Sequence, residues 1–256
     1  MLRTLRGQYK KFLCSMTRTI SAGCLPLISG ILISGISALG QAEEPASGKL
    51  VARVQTADGK ASYACYLPKA YRTEKNWPAL VAFSPDGQGS RLAGHFRAAA
   101  EQAGWIVLAS NDSRNGPFRG EEIEALWKDA QTRFSIDTSR LYVAGFSGGA
   151  RVATWFVGEK KAIGHVAIGG LHFPGDRNTP PEQRAPLPPM AYALVCGHTD
   201  FNQQELADAA KGLRAAHRPV KLLTFPGGHT MPPPRVTAAA VSWLDGLDKP
   251  QSAAPP

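Results

Sequence analysis

The chain has 256 residues, of which 43% are hydrophobic and 19% are charged, and these proportions are ordinary for a globular protein. This length suits one domain, or one domain with a leader, and such a domain buries a sizeable core without disulfides or metals. The net charge of +9 includes five basic residues and no acidic residue within residues 1–42, so +4 remains for the rest of the chain. Because no lysine or arginine cluster with interleaved aromatic residues follows residue 42, the sequence argues against nucleic-acid binding.

Residues 1–42 have the pattern of a secretory signal peptide. A basic segment precedes an uncharged stretch from Thr19 to Ala42, and small residues stand at Ala38, Gly40 and Ala42 before acidic charge returns. This pattern predicts cleavage near Gly40 or Ala42 and export to the periplasm or the extracellular space. The alternative is an uncleaved leader that anchors the protein, since the uncharged stretch approaches spanning length. We expect contact with a membrane only in that second case.

Strand and helix patterns alternate through the predicted domain, residues 43–247. Two short strands, Lys49–Gln55 and Ala61–Leu67, flank an Asp58-Gly59 turn, which predicts a β-hairpin. The remaining predicted strands are Ala79–Phe83, Trp105–Ala109, Leu141–Ala144, His165–Ile168, Ala191–Cys196 and Val220–Phe225, and the predicted helices are Arg91–Ala103, Glu121–Phe134, Ala150–Val157, Gln203–Ala216 and Val236–Leu247. This alternation indicates a mostly parallel sheet with helices on both faces. The tail, residues 248–256, is predicted to be disordered.

A G-x-S-x-G motif, Gly145-Phe146-Ser147-Gly148-Gly149, lies between the predicted strand Leu141–Ala144 and a predicted helix. Glycines on both sides of a serine allow a sharp strand-to-helix turn that exposes the serine hydroxyl. The alternative is a glycine-rich turn in which the serine caps the helix. The strand before the motif and the helix after it favour the first interpretation, so Ser147 is the candidate nucleophile.

Two partners for such a serine follow downstream, Asp200 and His229. Each comes just past the end of a predicted strand, and in an open α/β sheet those ends share one edge, so the three residues can converge. A serine hydroxyl becomes a good nucleophile when an imidazole takes its proton, and a buried carboxylate holds that imidazole in the required tautomer. The chain order Ser147, Asp200, His229 is the α/β-hydrolase order.

These residues carry a resemblance to a known group of enzymes. The segment from Ile136 to Gly149 resembles the nucleophile region of polyhydroxybutyrate-depolymerase-like and dienelactone-hydrolase-like esterases. Gly197–Asn202 and Pro226–Pro234 are similar to the acid and histidine loops of those enzymes. The resemblance runs from about Leu50 to Leu247 and implies an α/β-hydrolase fold and hydrolysis of esters or related acyl compounds. It does not name a substrate, because this fold carries many chemistries.

An oxyanion hole needs two backbone N–H groups aimed at the developing negative charge. One is expected from Gly148, the residue after the nucleophile, and the other from the loop after Ala79–Phe83, where Gln88 has the expected position. Family members often have His-Gly in this loop, whereas this chain has Asp86-Gly87. The Asp86 carboxylate would hinder catalysis if it faced the oxyanion, and the alternative is that it only caps the turn.

Two further loops are predicted to face the same edge of the sheet. Residues 172–189 contain six prolines and either line the acyl pocket or form a stiff surface connection. In the loop Asn111–Pro117, Arg114 either meets an anionic group of the substrate or belongs to a polar turn.

The sequence thus predicts an exported serine hydrolase that acts on small-molecule or polymeric esters. No cofactor or metal is expected, since the histidines lack partners at ligand spacing. A non-catalytic binding protein on the same scaffold is the alternative that Asp86 favours, and a peptidase or thioesterase would use the same three residues. Cys65 and Cys196 lie in separate predicted strands, which favours two buried free thiols over a disulfide.

Overall fold

A computed structural model describes residues 45–158, 160–172 and 186–248 of the chain. The predicted leader, most of the proline-rich loop and the predicted tail after Asp248 lie outside these residues. No helix within the described ranges combines the length and apolar character needed to cross a membrane.

Eight strands and five helices make up the described part of the chain after residue 49. The strands are β1 (Leu50–Gln55), β2 (Ser62–Tyr66), β3 (Trp77–Phe83), β4 (Ile106–Ser110), β5 (Ile136–Phe146), β6 (Ala162–Ile168), β7 (Ala191–Gly197) and β8 (Val220–Phe225). The helices are α1 (Gly89–Ala103), α2 (Gly120–Arg133), α3 (Gly148–Val157), α4 (Gln203–Ala215) and α5 (Pro234–Asp248). Every strand and helix predicted above is present, with ends that differ by a few residues except at β5, which extends to Ile136. Pro234 opens α5, where a fixed φ and a missing N–H cost nothing.

The strands form one sheet in the order β1-β2-β4-β3-β5-β6-β7-β8. β1 pairs with β2, and β2 with β4, in antiparallel fashion, while the remaining pairs are parallel. The predicted opening hairpin and the mostly parallel sheet are therefore confirmed. Since β4 and β5 lie on opposite sides of β3, the direction of winding reverses between β3 and β5. Open α/β sheets bind their ligands beyond the carboxyl ends of the strands at such a reversal.

Alternate residues of the central strands pack into two separate apolar layers. Tyr142 of β5 belongs to the layer formed with α1 and α5, whereas its neighbour Val143 belongs to the layer formed with α2, α3 and α4. This is the expected consequence of strand geometry, in which successive side chains point to opposite faces. Both faces of the sheet are covered, which leaves the edge at the carboxyl ends of the parallel strands for the predicted site.

Cys65 and Cys196 are both buried and free. Cys65 lies on β2 and Cys196 on β7, which are five positions apart in the sheet, or roughly 24 Å at the usual strand spacing. The prediction of two free thiols is confirmed. Burial raises the pKa of both thiols, that of Cys196 to about 11, so neither is a reactive thiolate at neutral pH.

Candidate active site

Ser147 occupies the sharp turn between β5 and α3. Its φ of 54° and ψ of −119° lie in a region that L-residues rarely adopt, at a cost of about 1–3 kcal/mol. The Ser147 N–H donates to the carbonyl oxygen of Ile168 at 2.8 Å, which ties the turn to the end of β6. The strained backbone presents the hydroxyl above the sheet edge, as the G-x-S-x-G pattern predicts.

The three residues singled out from the sequence meet at the carboxyl ends of β5, β7 and β8. His229 Nε2 lies 2.8 Å from Ser147 Oγ, and His229 Nδ1 lies 2.9 Å from Asp200 Oδ1. With its hydrogen on Nδ1, the imidazole donates to the carboxylate and accepts the hydrogen bond of the serine hydroxyl. This arrangement is the one that a serine nucleophile, its base and an orienting acid require.

The carboxylate of Asp200 is almost sealed from water, with 1% of its side chain exposed. The backbone N–H of Asn202 donates to Asp200 Oδ1 at 2.8 Å, and the side-chain amide of Asn202 donates to the carbonyl oxygen of Gly169 at 2.8 Å. Gly169 has a φ of +59°, and a Cβ there would lie 3.0 Å from Asp200 Oδ2 and from His229 Cε1. Asn202 thus joins the acid loop to the end of β6, a role that no sequence pattern indicated.

A buried ion pair connects the two helices that follow Ser147 and Asp200. Arg151 of α3 and Glu205 of α4 form a bidentate pair, with N–O distances of 2.7 and 2.5 Å. Glu205 also accepts the backbone N–H groups of Leu171 and His172, and Arg151 donates to the carbonyl oxygen of His172. Burial alone would raise the pKa of Glu205, but hydrogen bonds with the side chains of His172 and Arg151, the Arg151 charge and the His172 N–H hold it at about 2. The pair therefore links α3, which follows Ser147, to α4, which follows Asp200.

The two predicted oxyanion donors differ in their surroundings. The N–H of Gly148 is at the positive end of α3 and has no acceptor among the described residues. The N–H of Gln88 donates to Ser84 Oγ at 3.0 Å and to Asp86 Oδ1 at 3.2 Å, so it points into its own turn. The Asp86 carboxylate thus caps the turn, one of the two roles considered for it. The role of Gln88 as the second oxyanion donor stays a prediction, and it requires the Gln88 N–H to leave both acceptors. The N–H of Asp86, in the same turn, has no acceptor among the described residues and is free to donate.

The loop after β4 does lie against the site. The N–H of Asn115 donates to the carbonyl oxygen of Pro85 at 2.8 Å, and Ser113 Oγ donates to the carbonyl oxygen of Ser84 at 3.1 Å. These bonds hold the loop against the turn that carries Asp86. Among the described residues, the Arg114 guanidinium has one hydrogen bond, to the carbonyl oxygen of Asn111 at 3.5 Å. Its contact with an anionic substrate stays a prediction.

Two of the other histidines in the described ranges make local contacts of their own. His95 Nε2 lies 2.6 Å from Thr237 Oγ1, and His198 Nε2 lies 3.2 Å from Thr224 Oγ1. Within those ranges no group of three or more His, Cys, Asp or Glu side chains is arranged to hold a metal ion.

Comparisons of the structure with solved proteins identify the fold. Esterase LipW from Mycobacterium marinum matches with a TM-score of 0.58 and 18% identity, over 77% of this chain and 81% of that one. EstE1, a carboxylesterase from a metagenomic library, matches with a TM-score of 0.58 and 15% identity, over 82% of this chain and 92% of that one. S-formylglutathione hydrolase FrmB from Staphylococcus aureus matches with a TM-score of 0.58 and 13% identity, over 78% of this chain and 98% of that one.

The chain has the α/β-hydrolase fold, as these similarities and the sheet order establish. No protein-family model matches the sequence, and no curated protein matches it either. The resemblance to the polyhydroxybutyrate-depolymerase-like and dienelactone-hydrolase-like group therefore stays a prediction within this fold.

Proposed function

We propose that the protein is a serine hydrolase that cleaves carboxylic esters through an acyl-enzyme on Ser147. The observation that carries the proposal is the chain Ser147–His229–Asp200, with contacts of 2.8 and 2.9 Å and a buried carboxylate at its end. A binding protein has no need of a serine in a strained turn whose hydroxyl is bonded to an oriented imidazole. The names of similar structures, which include an esterase and a carboxylesterase, support the same chemistry.

The first half of the reaction forms the acyl-enzyme. Ser147 Oγ attacks the ester carbonyl carbon while His229 Nε2 takes the hydroxyl proton, and the negative charge moves to the carbonyl oxygen. The N–H of Gly148 and one amide of the Asp86–Gln88 turn donate to that oxygen. The C–O bond to the alcohol then breaks, and His229 returns its proton to the leaving oxygen. Asp200 stabilises the imidazolium between these transfers.

The second half releases the acid. A water molecule replaces the departed alcohol beside His229, which takes a proton as the water oxygen attacks the acyl carbon. The bond between the acyl carbon and Ser147 Oγ breaks, and His229 protonates Oγ. The products are a carboxylic acid, an alcohol and the unchanged enzyme, and no cofactor or metal enters the scheme.

The proposal extends to the kind of substrate and to location. Small-molecule or polymeric esters fit the scheme, while thioesters and peptides would use the same three residues. Export to the periplasm or the extracellular space is part of the proposal and is supported by the signal-like pattern of residues 1–42. Cell fractionation followed by intact mass of the recovered protein tests export, and a cytoplasmic protein that retains residues 1–42 would contradict it.

The deciding experiment is covalent labelling with a fluorophosphonate, read by intact mass. Such a reagent reports an activated serine without knowledge of the substrate. We expect one adduct on the wild-type protein and none on Ser147→Ala. Ser139→Ala is the control and should carry the same adduct as the wild type, because the Ser139 hydroxyl donates to Asp137 near the start of β5, away from Ser147. A folded wild-type protein that takes no label would contradict the proposal and favour the binding-protein alternative.

A further inference from the structure

The phenyl ring of Phe201 is exposed to solvent beside the imidazole of His229. Phe201 directly follows Asp200 and is 71% exposed, more than any other large apolar side chain in the described part of the chain. Its ring centroid lies 4.1 Å from that of His229, with the planes 34° apart. One side of the phenyl ring therefore packs on the imidazole, and the rest of it is left to solvent.

A second phenyl ring, that of Phe146, also packs against His229. Phe146, the residue before Ser147, is half-buried and has its ring centroid 5.0 Å from that of the imidazole. Phe146 and Phe201 make no ring contact with each other, so each packs on the imidazole separately. Phe146 already packs against His229. The exposed surface of the Phe201 ring does not contact the imidazole and is available to a ligand.

The chemistry of the step fixes which part of an ester comes nearest to Phe201. His229 Nε2 must give its proton to the oxygen of the departing alcohol, so the alcohol part of the ester passes next to the imidazole. The carbonyl oxygen of the ester instead accepts a hydrogen bond from the N–H of Gly148, on the side away from the departing alcohol. A side chain stacked on His229 consequently borders the alcohol side of the site.

We infer that Phe201 is a specificity-determining residue that binds an aromatic ring in the alcohol part of the ester. This inference rests on the proposed ester hydrolysis. Aromatic pairs prefer offset or edge-to-face arrangements and contribute beyond their buried area, and a ring in the alcohol covers phenyl surface that water otherwise contacts. An alkyl alcohol of similar length covers less of that surface and gains no aromatic pairing.

A pair of isomeric esters tests the inference. In 2-phenylethyl acetate the ring belongs to the alcohol, and in ethyl phenylacetate it belongs to the acyl group, with the same atoms in both. We expect Phe201→Ala to lower kcat/KM for 2-phenylethyl acetate about five-fold, mainly through KM, and to change ethyl phenylacetate less than about two-fold. Phe201→Tyr, which keeps the ring, should hydrolyse both esters as the wild type does.

Leu247→Ala is the matched control variant. Leu247 is also an exposed apolar residue, but it lies in the last turn of α5, about 20 Å along that helix from its start near the site. We expect this variant to hydrolyse both isomers at the wild-type rate. The full-length protein is used throughout, and circular dichroism of each variant checks that the fold is retained.

Three results would overturn the inference. An equal loss on both isomers would mean that Phe201 acts through His229, a larger loss on ethyl phenylacetate would assign it to the acyl side, and no loss would remove it from the site. The proposed function fails separately: a wild-type protein that takes no fluorophosphonate and hydrolyses neither ester overturns the ester chemistry and this inference with it. A labelled, active enzyme with the wrong preference overturns the inference alone.

Discussion

Gly149 packs so closely on Phe83 that a Cβ at position 149 would overlap the backbone carbonyl oxygen of Phe83. The obstacle is main chain of β3, which cannot turn aside. At Gly148 the corresponding obstacle is the end of the exposed Asn115 side chain, which can rotate away. The second fixed glycine of the motif is thus required by the packing of α3 on β3, whereas the residue before it is not.

We therefore expect Gly149→Ala to lower the free energy of unfolding by about 3 kcal/mol, a cost typical of overpacking. Gly148→Ala should lower it by less than about 1 kcal/mol and retain fluorophosphonate labelling, since its N–H is kept. Urea unfolding followed by circular dichroism measures both. Equal losses for the two variants would contradict this account of the motif.

The second prediction concerns the Asp86 carboxylate, which accepts the N–H of Gln88 at 3.2 Å. Asp86→Asn keeps an oxygen acceptor for that amide and removes the charge, so we expect kcat for 4-nitrophenyl acetate within about two-fold of wild type. Asp86→Ala removes the acceptor and about 1 kcal/mol of turn stability, and we expect a kcat about five-fold lower. An Asn variant much faster than wild type would show instead that the carboxylate opposes the oxyanion.

The sequence predicted the convergence of Ser147, Asp200 and His229 because each follows a strand of one parallel sheet. In such a sheet, topology alone brings strand ends together, and the apolar runs that mark the strands are readable from the chain. The hairpin was equally readable, since its Asp58-Gly59 turn is a local signal.

Contacts between elements could not be predicted in the same way. Arg151 and Glu205 are 54 residues apart, and nothing in either helix pattern indicates that two charged side chains are buried together. The stacking of Phe201 on His229 depends on the direction of a side chain in a turn, which periodicity does not encode. The acceptors of the Gln88 amide likewise depend on turn geometry rather than on residue type alone.

The third prediction concerns stability in acid and follows from Glu205. Its pKa is about 2 in the folded protein against 4.5 ordinarily, so the folded state binds this proton less readily than the unfolded state does. The stabilisation is complete above about pH 4.5 and is lost as the pH falls towards 2, amounting to about 3 kcal/mol. Urea unfolding at pH 7, 4 and 3 measures this dependence.

The variant Glu205→Gln removes that titration and leaves the charge of Arg151 buried without its partner. We expect the variant to be about 3–5 kcal/mol less stable at pH 7 and to lose less stability than wild type between pH 4.5 and 3. Glu124→Gln is the control, because the Glu124–Lys160 pair is half-exposed and worth at most about 1 kcal/mol. An unchanged pH dependence in Glu205→Gln would contradict the role given to this pair.

The fourth prediction concerns His165, a fully buried residue of β6. Neither ring nitrogen has a hydrogen-bond partner among the described residues, and the nearby ring of Tyr192 offers only its aromatic surface. Burial lowers the pKa of His165 to about 3. An apolar side chain of similar size avoids the cost of burying two unpaired nitrogens, about 1–3 kcal/mol for such a group, so His165→Leu should be more stable at pH 7 by about 1 kcal/mol.

The pH dependence of the same variant provides an independent check. Because the folded-state pKa of His165 is below the usual 6.5, the unfolded state takes up the proton first as the pH falls. Folding is therefore weakened below about pH 6.5, by up to about 1.4 kcal/mol per pH unit, until the folded state is protonated as well near pH 3. His165→Leu should lose less stability than wild type between pH 6.5 and 5, a range in which Glu205 remains ionised in both states. A less stable Leu variant with an unaltered pH slope would mean that the imidazole makes favourable interactions in the core.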